Sequence, residues 1–288
     1  MTDELYRFTI SKYDMIRNAP VSIGPSTMDY LVIGLVALVV AGTTLFSGFG
    51  LGTVLTPAFA LFFPVPVAVA ATAVVHLANN LFKLALLARH ADLGVVLRFS
   101  LPAAAAAVAG ASLLVLFARM PVLATYELAG RIHEVTAVKT VIGLLIVGFG
   151  ALEMSRRVGA LAIPPRYLPL GGLLSGFFGG LSGNQGAFRS AFLIKSGLDK
   201  EAFVGTGVVS AVIVDTVRLA VYGASFYTTN LFVLESELAG LVGLAVAAAF
   251  LGSFVGARLL KVVTLGFVRT AVAAMMMAVG TALAVGLV

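Results

Sequence analysis

Residues 173–189 read L-L-S-G-F-F-G-G-L-S-G-N-Q-G-A-F-R, and residues 45–52 read L-F-S-G-F-G-L-G. Both are apolar runs cut by glycine at short spacing. Each leads into an apolar segment that carries polar groups. Residues 71–83 read A-T-A-V-V-H-L-A-N-N-L-F-K, and residues 205–218 read G-T-G-V-V-S-A-V-I-V-D-T-V-R. Ser47-Gly48 matches Ser175-Gly176, and Thr72 matches Thr206, with extra residues in the second copy around Gly183–Gly186. One Gly-rich run reads as tight helix packing. Two runs in corresponding places predict two related halves with an interrupted helix in each, a pattern that points to the substrate site of a secondary transporter.

The rest of the chain fits that reading. Of 288 residues, 60% are hydrophobic before glycine is counted and only 11% are charged. A soluble domain carries about 25% charged residues, and a soluble chain this apolar could not cover its surface with polar groups. The composition excludes a soluble enzyme, a disordered chain and a disulfide-built secreted domain. Zero cysteine excludes iron–sulfur and thiolate chemistry, and His76, His90 and His133 are too far apart for a local metal motif. No cofactor is expected. The net charge of +6 comes from basic residues between apolar segments. That fits positive-inside topology better than a nucleic-acid partner.

A spanning helix needs about 20 apolar residues. Such stretches lie near 28–46, 67–88, 95–117, 135–154, 202–222, 236–257 and 266–287, while 47–63 and 167–195 are apolar but cut by Gly and Pro. The runs are continuous rather than alternating, so helices are favoured over a barrel. The expectation is an all-α polytopic membrane protein of about eight transmembrane elements in two related halves, with the first and fifth elements broken. Residues 1–27 are a polar tail rather than a signal peptide. Residues 28–154 form the first repeat, 155–166 a polar linker, and 167–288 the second repeat. Lys/Arg in the tail, at 89–98, at 155–166 and at 258–269 favour a cytoplasmic amino terminus and leave the carboxyl end unplaced.

The polar residues form patterns. On a helix over 67–88, His76, Asn79, Asn80 and Lys83 fall at i, i+3, i+4 and i+7 and make one stripe. On 202–222, Asp215 and Arg218 are three apart and can pair, with Ser210 and Tyr222 on the same helix. A charge at the membrane centre costs about 2.5–3.5 kcal/mol, so these groups need partners or a task. Asp215, His76 and Lys83 are candidate coupling or gating residues. The glycine breaks supply Gly48, Gly50, Gly52, Thr53, Gly183, Asn184 and Gln185. Unwound backbone at that depth lines a cavity or is buried in protein. Pro57 suits the first turn of a restarted helix, whose free N–H groups attract an anion. Arg189 and Arg218 add full charge. The substrate-binding set is therefore Gly48, Gly50, Gly52, Thr53, His76, Asn79, Asn80, Gly183, Asn184, Gln185, Arg189 and Arg218. A metal-cation site would want several carboxylates, so a small anion is the expected partner.

These motifs also resemble a family. S-G-F-G-L-G-x4-P from Ser47, A-T-x-V-V-H-L-x-N-N from Ala71, G-F-F-G-G-L-S-G-N-Q-G-A-F-R from Gly176 and L-D-K-E-A-F-V-G-T from Leu198 are similar to the sulfite exporter TauE/SafE family. The resemblance covers nearly all of 28–288. It implies an integral transporter of the cell (inner) membrane, made of two related halves, that exports sulfite or organosulfur anions. Members show a denser G-x-G-G-G run. Here Leu51 stands between glycines and Asn184-Gln185 splits the second run, which alters the lining of the expected site.

The leading reading is thus a secondary transporter, an exporter of a small sulfur-containing anion, with a midplane site between the repeats and protons as candidate coupling ions. The alternative is an anion channel with the same Gly-lined constriction. An intramembrane enzyme lacks any nucleophile motif such as G-x-S-x-G. No G-x4-G-K-[ST] motif provides for ATP. Small-residue faces such as Pro102–Gly110 allow a homodimer in the lipid bilayer without requiring one.

Overall fold

The structure is a computed structural model, and it describes residues 26–47, 51–155, 163–227, 235–259 and 265–288. Gly48, Gly50, residues 1–25 of the polar tail and residues 156–162 of the linker lie outside the described residues. The order is α1 (Thr27–Ser47), α2 (Leu51–Ala60), α3 (Val65–Leu87), α4 (Leu93–Ala118), β1 (Val122–Leu128), β2 (Arg131–Thr136), α5 (Ala137–Met154), α6 (Leu168–Ser182), α7 (Gly186–Leu193), α8 (Lys200–Tyr227), α9 (Glu235–Leu259) and α10 (Leu265–Ala284).

By length and composition, four segments can cross a membrane among the described residues: Val65–His90, Leu93–Ala118, Lys200–Ser225 and Leu238–Val255. Shorter apolar helices cover Thr27–Gly42, Leu51–Ala60, Ala137–Leu152 and Val272–Ala284. With 10 and 8 residues, α2 and α7 extend only about 15 and 12 Å at ~1.5 Å per residue. Neither can cross a ~30 Å hydrocarbon core. Outward positions such as Leu101, Leu116, Leu144 and Leu251 are apolar and more than half exposed, which suits a bundle immersed in lipid rather than water.

Helices α3 and α8 pack on each other, and each also packs on a helix distant in sequence, α3 on α9 and α8 on α4. The most extensive pairings are α4 with α6, α1 with α9, and α5 with α10. The first has a clear cause. Gly172, Gly176 and Gly180 recur every four residues on one face of α6. A Cβ at these positions would collide with the backbone carbonyls of Phe99, Ala103 and Ala107 respectively. From the other side, a Cβ at Gly110 would strike the carbonyl of Phe177. Small residues let the two backbones touch, and lipid offers no hydrophobic drive that could replace that packing.

The helical expectation needs one correction. Residues 122–136 form an antiparallel hairpin between α4 and α5, with Leu128 opposite Arg131. Ala129 (φ 53°) and Gly130 (φ 75°) make its two-residue turn, and two positive φ angles match the right-handed twist of the flanking strands. Tyr126 stacks on His133 and donates to the Val285 carbonyl at 2.7 Å, tying the hairpin to the end of the chain. Val122, Thr125, Tyr126, Val135 and Thr136 are β-branched or aromatic, so the signal was present but short.

Candidate functional site

The site begins at the end of α6. The last carbonyls of a helix have no partner within it. Gly183, in the left-handed region at φ 83°, turns the chain so that its N–H caps the Gly179 carbonyl at 3.0 Å. Arg218 Nη1 donates to the same carbonyl at 3.2 Å, and the Tyr222 hydroxyl donates to the Gly180 carbonyl. Both donors come from α8. A guanidinium at a helix C-terminus also meets the negative end of the helix dipole. Arg218 and Tyr222 therefore finish α6 while α8 crosses it.

Asp215, one turn before Arg218, lies at the centre. Its Oδ1 receives Arg218 Nε at 3.0 Å and Gln185 Nε2 at 2.9 Å, with Arg218 Nη2 at 2.7 Å as an ion pair. Its Oδ2 receives His76 Nδ1 at 2.6 Å and lies 3.5 Å from Asn80 Nδ2. Donation from Nδ1 leaves His76 Nε2 to accept from Asn80 Nδ2, 3.3 Å away. Asp215 and Arg218 are completely buried and His76 nearly so. One carboxylate thus joins α3, α8 and the corner between α6 and α7.

That corner is also held from below. Ser175 Oγ donates to the Gln185 carbonyl at 2.9 Å, and Asn184 Nδ2 donates to Ser182 Oγ at 3.0 Å. Helix α2 meets it backbone to backbone, because a Cβ at Gly52 would stand 2.8 Å from the Gly183 carbonyl oxygen. Thr56 Oγ1 donates to the Gly52 carbonyl at 3.0 Å and faces Gly183. Thr53 is buried on the same helix.

The expected residues therefore divide. His76, Asn80, Gln185, Asp215 and Arg218 come together in one network, with Gly52, Gly183 and Asn184 around it. Asn79 turns away, and its Oδ1 accepts from Ser253 of α9 at 2.9 Å. Ser210 likewise accepts from Ser100 of α4 at 2.9 Å. Arg189 stands apart on α7, beside Gly207 of α8, where a Cβ would be 3.6 Å from its Nε. Lys83 lies two helical turns beyond His76 on α3. Gly48 and Gly50 lie outside the described residues. Thr72 and Ser175 belong to the site and were not expected there, while Gly179 and Gly180, expected as part of the glycine break, lie inside a continuous α6 and contribute their carbonyls. Thr72 falls four residues before His76, on the same stripe, so the period could have found it.

Among the described residues, some buried polar atoms have no hydrogen-bond partner: Thr72 Oγ1, Asn184 Oδ1, Gln185 Oε1, Arg189 Nη1 and Arg218 Nη2, the last held beside Asp215 as an ion pair. Unpaired groups of this kind usually mark a place for water or a ligand. Among the described residues, no group of three His, Asp or Glu side chains could hold a metal ion.

A bundle with an apolar outer face and a buried polar centre fits a helical membrane protein. The family model for the sulfite exporter TauE/SafE matches residues 30–283, and the chain belongs to that family. No curated protein and no solved structure gives a significant match to it.

Proposed function

We propose that the chain is a secondary transporter that exports a small sulfur-containing anion, sulfite or an organosulfonate, across the cell (inner) membrane. Residues 28–154 and 167–288 act as two repeats, and the anion passes between them near the midplane. The observation that carries this reading is the Asp215 network. It links the third helix of one repeat to the third helix of the other, and both to the glycine corner at Gly183. Rocking one repeat against the other must open or shear those bonds, which makes the network the gate.

Cations also outnumber carboxylates here. In the buried network Arg218 and, when protonated, His76 face the carboxylate of Asp215, with Lys83 further along α3 and Arg189 on α7. That balance favours an anion as cargo. His76 supports a proton-linked cycle, since imidazole is the side chain that titrates near neutrality and here it shares the carboxylate with Arg218.

The test is uptake of labelled sulfite by proteoliposomes with and without a pH gradient. Wild type is expected to show saturable, gradient-sensitive flux, and Asp215→Asn and Arg218→Gln to lose it. Absence of flux for sulfite, thiosulfate and a sulfonate alike would overturn the substrate class. Unchanged flux in both variants would return the pair to a purely architectural role.

A further inference from the structure

We propose that the Asp215 carboxylate is a built-in stand-in for the cargo: a monovalent oxyanion takes its place on Arg218 and Gln185, and His76 and the displaced carboxylate take up one proton between them. This deepens the transporter reading and rests on it.

The centre is already a receptor for an oxyanion. Arg218 Nε at 3.0 Å and Gln185 Nε2 at 2.9 Å donate to Oδ1 of Asp215, and His76 Nδ1 at 2.6 Å donates to Oδ2. A sulfite or sulfonate group carries its charge on oxygens that accept the same bonds. The fit to Asp215 is incomplete. A guanidinium edge suits two oxygens of one group, held by two parallel N–H bonds. Here Nε and Nη2 both reach Oδ1, because Oδ2 is turned to His76. Nη2 lies 2.7 Å from Oδ1 as an ion pair but makes no hydrogen bond, and Gln185 Oε1, on the amide that serves Asp215, makes none either. Arg218 is completely buried and Gln185 nearly so. An arriving group that turns two oxygens to Arg218 would fill the edge that Asp215 half fills.

Charge balance then calls for the proton. His76 donates from Nδ1 and accepts at Nε2 from Asn80, which is the neutral tautomer, so Asp215 and Arg218 sum to zero. An oxyanion on Arg218 leaves the Asp215 carboxylate, completely buried, without its counter-charge. An isolated buried charge is strongly disfavoured, and a proton removes it. That proton comes from water and ends on the His76–Asp215 pair. The surrounding elements offer no replacement for Arg218. Among the described residues, α2 and α6 carry no ionisable side chain, while α4 and α9 meet α8 and α3 through Ser100 and Ser253. Tyr222 donates to the Gly180 carbonyl, Lys139 of α5 to the Glu134 carbonyl, and Arg89 to its neighbour His90. Arg189 on α7 and Lys83 further along α3 form no ion pair with Asp215.

The same balance sets selectivity. Bisulfite or a simple sulfonate brings one negative charge and is matched by one proton. Sulfate brings two, and the second needs another proton from a pair that has already taken one. The centre therefore favours a monovalent oxyanion.

The experiment is calorimetric binding of sulfite to the purified full chain at mildly acidic pH, where sulfite is the monovalent bisulfite ion. Buffers of different ionisation enthalpy count the protons taken up, and methanesulfonate and sulfate serve as competitors. Wild type should take up one proton per anion, and methanesulfonate should displace sulfite at concentrations at least about tenfold lower than sulfate. Arg218→Lys keeps the charge and loses the two-nitrogen edge, so sulfite affinity should fall at least about tenfold. Asp215→Asn removes the competing charge and keeps the shape, so it should bind sulfite at least about tenfold more tightly, with no proton taken up. A carboxylate that serves architecture alone would give no such gain. The wild-type proton count and competitor ratio decide the matter even where a variant fails to fold. Binding without proton uptake in wild type, sulfate competing as well as methanesulfonate, full affinity in Arg218→Lys, or no gain in folded Asp215→Asn would overturn the displacement alone. No displaceable sulfite binding in wild type would overturn the transporter reading and this proposal with it.

Discussion

Asp215 on α8 and Arg189 beside that helix on α7 are both ionisable, yet they are held in opposite ways. Asp215 has its oxygens filled by His76, Gln185 and Arg218. Arg189 keeps a buried nitrogen with no partner. A saturated charge is part of the frame, and its bonds must break for the frame to move. An unsaturated charge adds nothing to the resting frame and waits for a counter-charge. Variants should therefore separate stability from transport, and they should do so differently at the two places.

The largest effect is expected at the saturated centre. Asp215→Ala would strand Arg218 in an apolar interior at a cost of about 3–5 kcal/mol. Thermal unfolding in detergent should show a large fall in midpoint. The double variant Asp215→Leu with Arg218→Met should regain most of that stability without regaining flux, because the charges are gone together. Recovery of both would mean that the pair is architecture only.

Next comes the glycine seam between α4 and α6. Gly176→Leu puts side chain where the Ala103 carbonyl stands. Overpacking of this kind costs about 1–3 kcal/mol, and the yield of monodisperse protein should fall accordingly. A smaller loss is expected at the edge of the network. Ser253→Ala removes the bond to Asn79 between α9 and α3, and such bonds average about 0.6 kcal/mol inside membranes. A loss as large as that of Asp215→Ala would mean that the Asn79 side belongs to the gate as well.

The smallest change in stability is expected at Arg189. Arg189→Gln strands no partner, so the unfolding midpoint should hold or rise while sulfite flux falls. A collapse in stability instead would show that Arg189 is saturated by a contact of the resting frame, and the contrast with Asp215 would fail.

Much of this contrast is written in local spacing. The stripe from His76 to Lys83 and the Asp215–Arg218 step are helical periods, readable from one segment at a time. The glycine corner at Gly183 is readable too, because a positive φ favours that residue. What spacing does not carry is register between distant helices. His76 meets Asp215 across 139 positions, and Ser253 meets Asn79 across 174. Such pairings depend on how deep each backbone seats, which the Gly172–Gly176–Gly180 seam sets for α4 and α6. Helix-end chemistry was also hidden. The free-amide ends suggested where an anion would bind, but Arg218 serves the carbonyl end of α6 instead. The hairpin at 122–136 was missed because its strands, of 7 and 6 residues, are short and do not alternate strictly between apolar and polar.

The most direct test of a gated carrier is counterflow. Proteoliposomes loaded with unlabelled sulfite would be diluted into a trace of labelled sulfite, with the membrane potential clamped at zero. A carrier whose Asp215 gate must open once per cycle predicts transient accumulation of label above equilibrium, lost in Asp215→Asn. Label that only approaches equilibrium, at a rate indifferent to the unlabelled sulfite inside, would contradict alternating access and favour an open anion pore.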